Sequence, residues 1–238
     1  MGGIIICHGG VGAKGRALDD MNSVASLSRD DDPLKTAVNA VVNMENDPRY
    51  NAGTGSVIRI DGSIQMDAAV AVPGEFGAVI GIEKVKNPVL VAQDVMQKTP
   101  HIALAGSGAV EFARRLGYGE YDPVTEKARV AYRKMIEAIK DSTNMDERFQ
   151  AIKKLISDGI VEEPHDTVGA VAYINGKFAA AVSTGGASPM MPGRVGDVPL
   201  IGAGIYCGLK GGWLSLQMPE RKAIILLLIA IGYLKLFS

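Results

Sequence analysis

At 238 residues the chain is long enough for one large domain with a substantial core. Its 47% apolar and 21% charged content excludes a disordered chain, and 25 Lys plus Arg against 26 Asp plus Glu gives no basic surplus for nucleic acid or a membrane surface. Only Cys7 and Cys207 occur, which excludes a disulfide framework and a cysteine zinc set.

Residues 4–7 form an apolar run too short for a signal peptide, read as a buried strand entering the turn His8-Gly9-Gly10; a cytoplasmic location follows as the expectation. Asp32-Pro33 supplies an N-cap and a proline at the first helical position for LKTAVNAVVNME. Leu34, Val38, Val41 and Glu45 share one stripe of that helix, which should stop before Asp47-Pro48. SVIRI-DG-SIQMD reads as a hairpin on its Asp61-Gly62 turn, and GAVIGI as a further strand. Asn87-Pro88 opens a helix to about Lys98, after which come HIALAG and the helix-like GAVEFARRLG. From 122 to 158 the pattern is helical and strongly charged, with breaks near 142–144, and GIVEEPHD reads as an exposed linker. VGAVAYI-NG-KFAAAVS is a second hairpin, on Asn175-Gly176. Residues 223–234 carry no charge but fall short of the ~20 residues of a spanning helix, so they read as a buried helix. Hairpins interleaved with helices favour antiparallel sheet faced by helices over a βαβ winding.

The 29 glycines cluster in HGGVGAKG, NAGTGS, STGG and GAGIYCG. HGGVGAK fails as a phosphate loop because Ala13 precedes Lys14 and Gly15 follows it; GAGIYCG fails as a dinucleotide fingerprint because Cys207 takes the third glycine's place. NAGTGS is either an irregular loop or a presenter of the Asn51 amide, with nearby carbonyls for a cation. MPGRVGD places Arg194 and Asp197 three apart: a surface ion pair, or a guanidinium and a carboxylate suited to the zwitterionic head of an amino acid. His8, His101 and His165 show no metal spacing and read as structural. Thr167 is ordinarily a strand former. Cut free of Asp166, it would carry a hydroxyl and an α-amine together, a nucleophile with its own base.

Taken in order, HGGVGA, ENDPRYNAGTGSV with DGSIQMDAAV, TPHIALAGSGA, HDTVGAVA, STGG and PGRVGDVPLIGAG resemble the plant-type L-asparaginase and isoaspartyl peptidase family of N-terminal nucleophile hydrolases. The resemblance implies an α+β fold: a four-layer αββα sandwich of mainly antiparallel sheets in a single domain, 1–238. Residues 1–166, with a linker over about 142–166, would precede the cut between Asp166 and Thr167, and 167–238 would follow it. It implies hydrolysis of L-asparagine and β-aspartyl dipeptides by Thr167, with Thr184 and Asn51 beside it and Arg194 and Asp197 holding the substrate. No cofactor is implied for the chemistry. A structural sodium ion would sit on the backbone carbonyls of Met44, Glu45, Asp47, Tyr50, Ala52 and Thr54. A homodimer is implied, before or after cleavage, with no nucleic-acid or membrane partner.

The resemblance ends at about Tyr206. Relatives continue to a T-G-x-G-E segment that serves the oxyanion, whereas this chain reads CGLKGGWLSLQMPERK and has no threonine after Thr184. A second reading is therefore an impaired, uncut precursor without hydrolase activity. The Asp-Thr pair itself resembles the glycosylasparaginase branch, which gives a third, an amidase of that type.

Overall fold

A computed structural model describes residues 3–10, 17–158, 167–188, 190–214 and 229–230. In chain order these form β1 (Gly3–His8), α1 (Ala17–Leu27), α2 (Pro33–Glu45), β2 (Met66–Val72), β3 (Glu75–Ile82), α3 (Pro88–Lys98), β4 (Ala103–Ala105) and α4 (Gly106–Arg115). Then follow α5 (Glu126–Ile139), α6 (Met145–Ser157), β5 (Thr167–Ile174), β6 (Lys177–Thr184), β7 (Ile205–Gly208), β8 (Gly211–Leu214) and β9 (Ile229–Ala230).

The fold is mixed α and β, with a mainly antiparallel sheet. Six strands lie in the order β1-β5-β6-β2-β3-β4, every neighbour antiparallel except β3 and β4. A smaller antiparallel sheet, β7-β8-β9, lies against one face of the larger one. Side chains alternate across strands, so the two faces of the six-stranded sheet can be read separately. Val70, Ala170, Ala172 and Ala181 join the core under α2 and α3, while Ala71, Val171, Phe178 and Val182 meet Val198, Ile205, Cys207 and Leu214. Burial on both faces is why the central strands read as nearly unbroken apolar runs despite their antiparallel pairing.

Local chemistry sets several boundaries. Asp32 is extended at φ −98° and its carboxylate accepts from Leu34 N at 2.7 Å, so α2 starts as the sequence predicts and packs its apolar stripe on β5 and β6. Thr125 caps α5 by accepting from Ala128 N at 3.1 Å. Asn175 and Gly176 both take positive φ, 52° and 79°, the combination a two-residue hairpin turn demands between β5 and β6. Tyr173 and Phe178 face each other across that hairpin with ring centroids 4.6 Å apart.

Four expectations are corrected. Asp61-Gly62 turns the chain, with Gly62 N donating to Arg59 O and Arg59 N to Ser63 O, but no strand ladder flanks it. The polar groups of this stretch go to a distant loop instead, as described below. The hairpin in this region is β2–β3, which turns at Pro73-Gly74. Residues 4–7 belong to an edge strand with Ile4 44% exposed, not a buried one, because among the described residues β1 pairs with β5 alone. Of the apolar run 223–234, Ile229 and Ala230 form β9 rather than helix, and the rest lies outside the described residues. The linker residues 159–166 lie outside them too, while 145–157 of the wider linker stretch are α6.

Candidate active site

Thr167 is the first residue of β5 and stands in register with Thr184, the last of β6; Thr184 is in turn in register with Asp67 on β2. One end of the central sheet therefore presents two hydroxyls and a carboxylate in a row across three strands. Two strand spacings put Asp67 about 10 Å from Thr167. Thr184 and Asp67 are buried and Thr167 half-buried.

Asn51 is stitched to the turn just after Thr184. Its carbonyl accepts from Gly185 N at 2.7 Å, its Nδ2 donates to Gly186 O, and its Oδ1 accepts from Val57 N at 3.1 Å. Gly186 N donates back to Thr184 Oγ1 at 3.1 Å, so Asn51 and Thr184 share one hydrogen-bonded circuit. Because the Asn51 amide is already engaged at both ends, one N–H and one lone pair remain to it. Gly185 is required here: a Cβ would run into Asn51 Oδ1 and Ser56 Oγ.

The loop with Arg194 and Asp197 docks on the same end of the sheet. Asp67 Oδ1 accepts from Gly81 N at 2.8 Å, and its Oδ2 lies 3.5 Å from Gly196 N. Burial raises the Asp67 carboxyl above the usual range, against those two amides and the Arg59 and Arg194 guanidiniums, which pull it down. Arg194 and Asp197 do not pair with each other. Among the described residues the hydrogen-bonding contact of the Arg194 guanidinium is a long one to Met190 Sδ, 3.9 Å.

His8 lies beside the strand that begins with Thr167, paired in register with Gly169. It is buried, and burial lowers its pKa to about 4, which keeps the imidazole neutral. The Thr167 backbone is near, but neither ring nitrogen meets hydrogen-bond geometry with any described residue. His165 and Asp166 lie outside the described residues.

No group of three His, Cys, Asp or Glu among the described residues is placed to hold a metal. The carbonyl-rich loop 44–54 is a different donor set. The carbonyls of Met44, Glu45 and Asp47 each accept a loop N–H, from Asp47, Thr54 and Tyr50. Those of Pro48 and Tyr50 converge on Gly55, 2.8 and 2.7 Å from where a Cβ would stand. Neutral carbonyl oxygens of this kind can replace the hydration shell of a hard monovalent ion.

The sequence profile of the asparaginase family matches residues 9–213. The chain belongs to that family. The family match spans the elements from α1 to β7 and all but the last residue of β8, while β1 and β9 lie outside it. The chain is 45% identical over 184 residues to a protein named plant-type L-asparaginase from Pyrococcus abyssi, a match covering 75% of this chain and 58% of that one. It is 34% identical over 229 residues to an isoaspartyl peptidase/L-asparaginase from Danio rerio (89% and 69% covered), and 33% identical over 222 residues to an isoaspartyl peptidase from Escherichia coli (85% and 67%). The chain thus spans 58% of the length of the archaeal relatives it matches. No helix among the described residues is long and apolar enough to cross a membrane.

The sequence singles out Thr167, Thr184, Asn51, Arg194 and Asp197 as candidates, whereas Asp67 and Arg59, which the structure buries at the same end of the sheet, were passed over. Asp67 left a usable signal, a lone acid inside an apolar strand. Arg59 left none, since an arginine in an alternating stretch reads as solvent-facing.

Proposed function

We propose that this chain is an amide hydrolase acting on the β-aspartyl group of L-asparagine or of β-aspartyl dipeptides, with Thr167 as nucleophile after cleavage of the Asp166–Thr167 bond. The observation that carries it is the register Thr167–Thr184 with Asn51 bound into the Gly185-Gly186 turn. The family membership and the relatives' printed names support the substrate class.

The free α-amine of Thr167 would have a pKa of about 7.7–8.0, so at neutral pH a fraction is unprotonated and accepts the proton of Thr167 Oγ. The oxygen attacks the β-carbonyl carbon. The tetrahedral intermediate collapses as the amine returns the proton to the leaving nitrogen, releasing ammonia or an amino acid. Water, deprotonated by the same amine, then opens the aspartyl ester and L-aspartate departs. Arg194 would hold the α-carboxylate, Asp197 the α-ammonium, and the Thr184 hydroxyl would orient Thr167. The chemistry calls on no cofactor. A sodium ion on the carbonyls of the 44–54 loop would stiffen the segment that carries Asn51. In the same reading the small sheet is the second layer of a four-layer sandwich, and the protein is a cytoplasmic homodimer.

The test is intact-mass spectrometry of the purified protein alongside ammonia release from L-asparagine. The expected result is two fragments, one ending at Asp166 and one beginning at Thr167, with turnover that rises as they accumulate. Thr167→Ala should stay whole and inactive. A wild-type chain that stays whole on prolonged warming and releases no ammonia would overturn the reading.

A further inference from the structure

Arg59 is 1% exposed, the largest fully buried side chain among the described residues. It sits on the turn-flanking segment before β2, and all its bonds go to backbone carbonyls. Nη1 donates to Met191 O at 2.5 Å, while Nη2 donates to Arg194 O at 3.0 Å and to Gln65 O at 3.2 Å. Burying a guanidinium is costly unless its donors are satisfied and a counter-charge is near. Here Asp67 supplies the counter-charge, and Nε alone has no partner. A planar fork can reach two carbonyls three residues apart on one loop, which a lysine's single ammonium does not match geometrically.

Two more bonds fasten the same loop. Gly193 N donates to Gln65 Oε1 at 2.8 Å and Ile60 N to Met190 O at 3.1 Å. With the Gly196 contact to Asp67, five backbone groups between 190 and 196 are tied to the 59–67 segment. All five ties use the loop's main chain. The side chains of Arg194 and Asp197 are left unpaired with each other, on a backbone that cannot drift.

We propose that Arg59 is a positioning residue: a buried clamp that fixes the 190–197 loop so that Arg194 meets the α-carboxylate of a β-aspartyl substrate, which makes substrate affinity depend on a side chain that never touches substrate. The inference rests on the functional reading above for its ligand. Held in place, the loop binds without first being ordered; released, each binding event must order it, so the loss falls on affinity more than on the chemical step.

The test titrates L-aspartate, the product with the same head group, into the full chain by calorimetry. The proteins are wild type, Arg59→Lys, Arg59→Met and Gln65→Ala, each alone and combined with Arg194→Ala, with thermal unfolding to confirm folding. Arg59→Met should weaken L-aspartate about tenfold, Arg59→Lys less, and neither should add a loss once Arg194 is alanine. In turnover with L-asparagine, KM should rise by the same factor while kcat stays within about threefold. If Arg59→Met does not fold, Arg59→Lys and Gln65→Ala carry the test. Wild-type affinity in folded Arg59→Lys and Gln65→Ala overturns the clamp alone, as does a loss that persists undiminished in the Arg194→Ala background. Failure of the wild-type protein to bind L-aspartate at all rejects the functional reading, and the clamp's stated purpose with it.

Discussion

Glu45 closes α2 and is fully buried. Its Oε1 accepts from Val89 N and its Oε2 from Asn87 Nδ2, both at 3.1 Å, so an acid from one helix satisfies one open backbone amide of the next and the side chain of its cap residue. Burial pushes the carboxyl from an ordinary 4.5 up to about 7, against the pull of those hydrogen bonds. Between the two values the folded protein keeps a proton that the unfolded chain releases, so stability falls as pH rises through that interval. The stabilisation is whole below the unfolded value and gone above the folded one. A separation from 4.5 to about 7, at about 1.4 kcal/mol per pH unit, comes to about 3 kcal/mol. Glu45→Gln keeps an oxygen for Val89 N, and its amide can be met by the Asn87 side chain turned end for end. Guanidinium unfolding of both proteins from about pH 4.5 to about pH 8 isolates the group, because every other titration is common to the pair. The variant should gain on wild type by about 3 kcal/mol across that range. A difference between the two that stays flat with pH would refute the assignment of the buried proton to Glu45.

Gly185→Ala should lower stability by about 1–3 kcal/mol, read as a drop in Tm, because the new methyl must push Asn51 and Ser56 off the turn after β6; an unchanged Tm would show that the 51–56 loop is not anchored there. Burial pushes the thiols of Cys7 and Cys207 up to about 12, so a thiol reagent at about pH 8 should label the native protein slowly and the unfolded one at once; prompt native labelling of both would contradict their placement.

What could be read from the sequence was what short-range chemistry decides. Asp32-Pro33 and Asn87-Pro88 fix helix starts within a few residues, and Asn175-Gly176 dictates its turn through two positive φ values, so these elements stand where the sequence puts them. Asp61-Gly62 carries the same kind of signal and yields only a turn. The difference is where the flanking groups find partners: Ile60 N and the Arg59 guanidinium bond to carbonyls of 190–194, about 130 residues away, rather than across a local ladder. A similar long-range choice hides Asp67, whose amide donors come from Gly81 and Gly196. The candidate site residues were legible as types because Thr167, Thr184 and Arg194 stand in short motifs whose chemistry can be read locally. Their mutual placement was not, because it depends on strand register: Thr167, Thr184 and Asp67 meet only because β5, β6 and β2 are neighbours in the sheet. A one-residue slip of β6 would send the Thr184 side chain to the opposite face. The Asn51–Gly185 and Asn51–Gly186 bonds pin that end of β6, so the polar bonds nearest the proposed nucleophile also hold the register that sets it opposite Thr184.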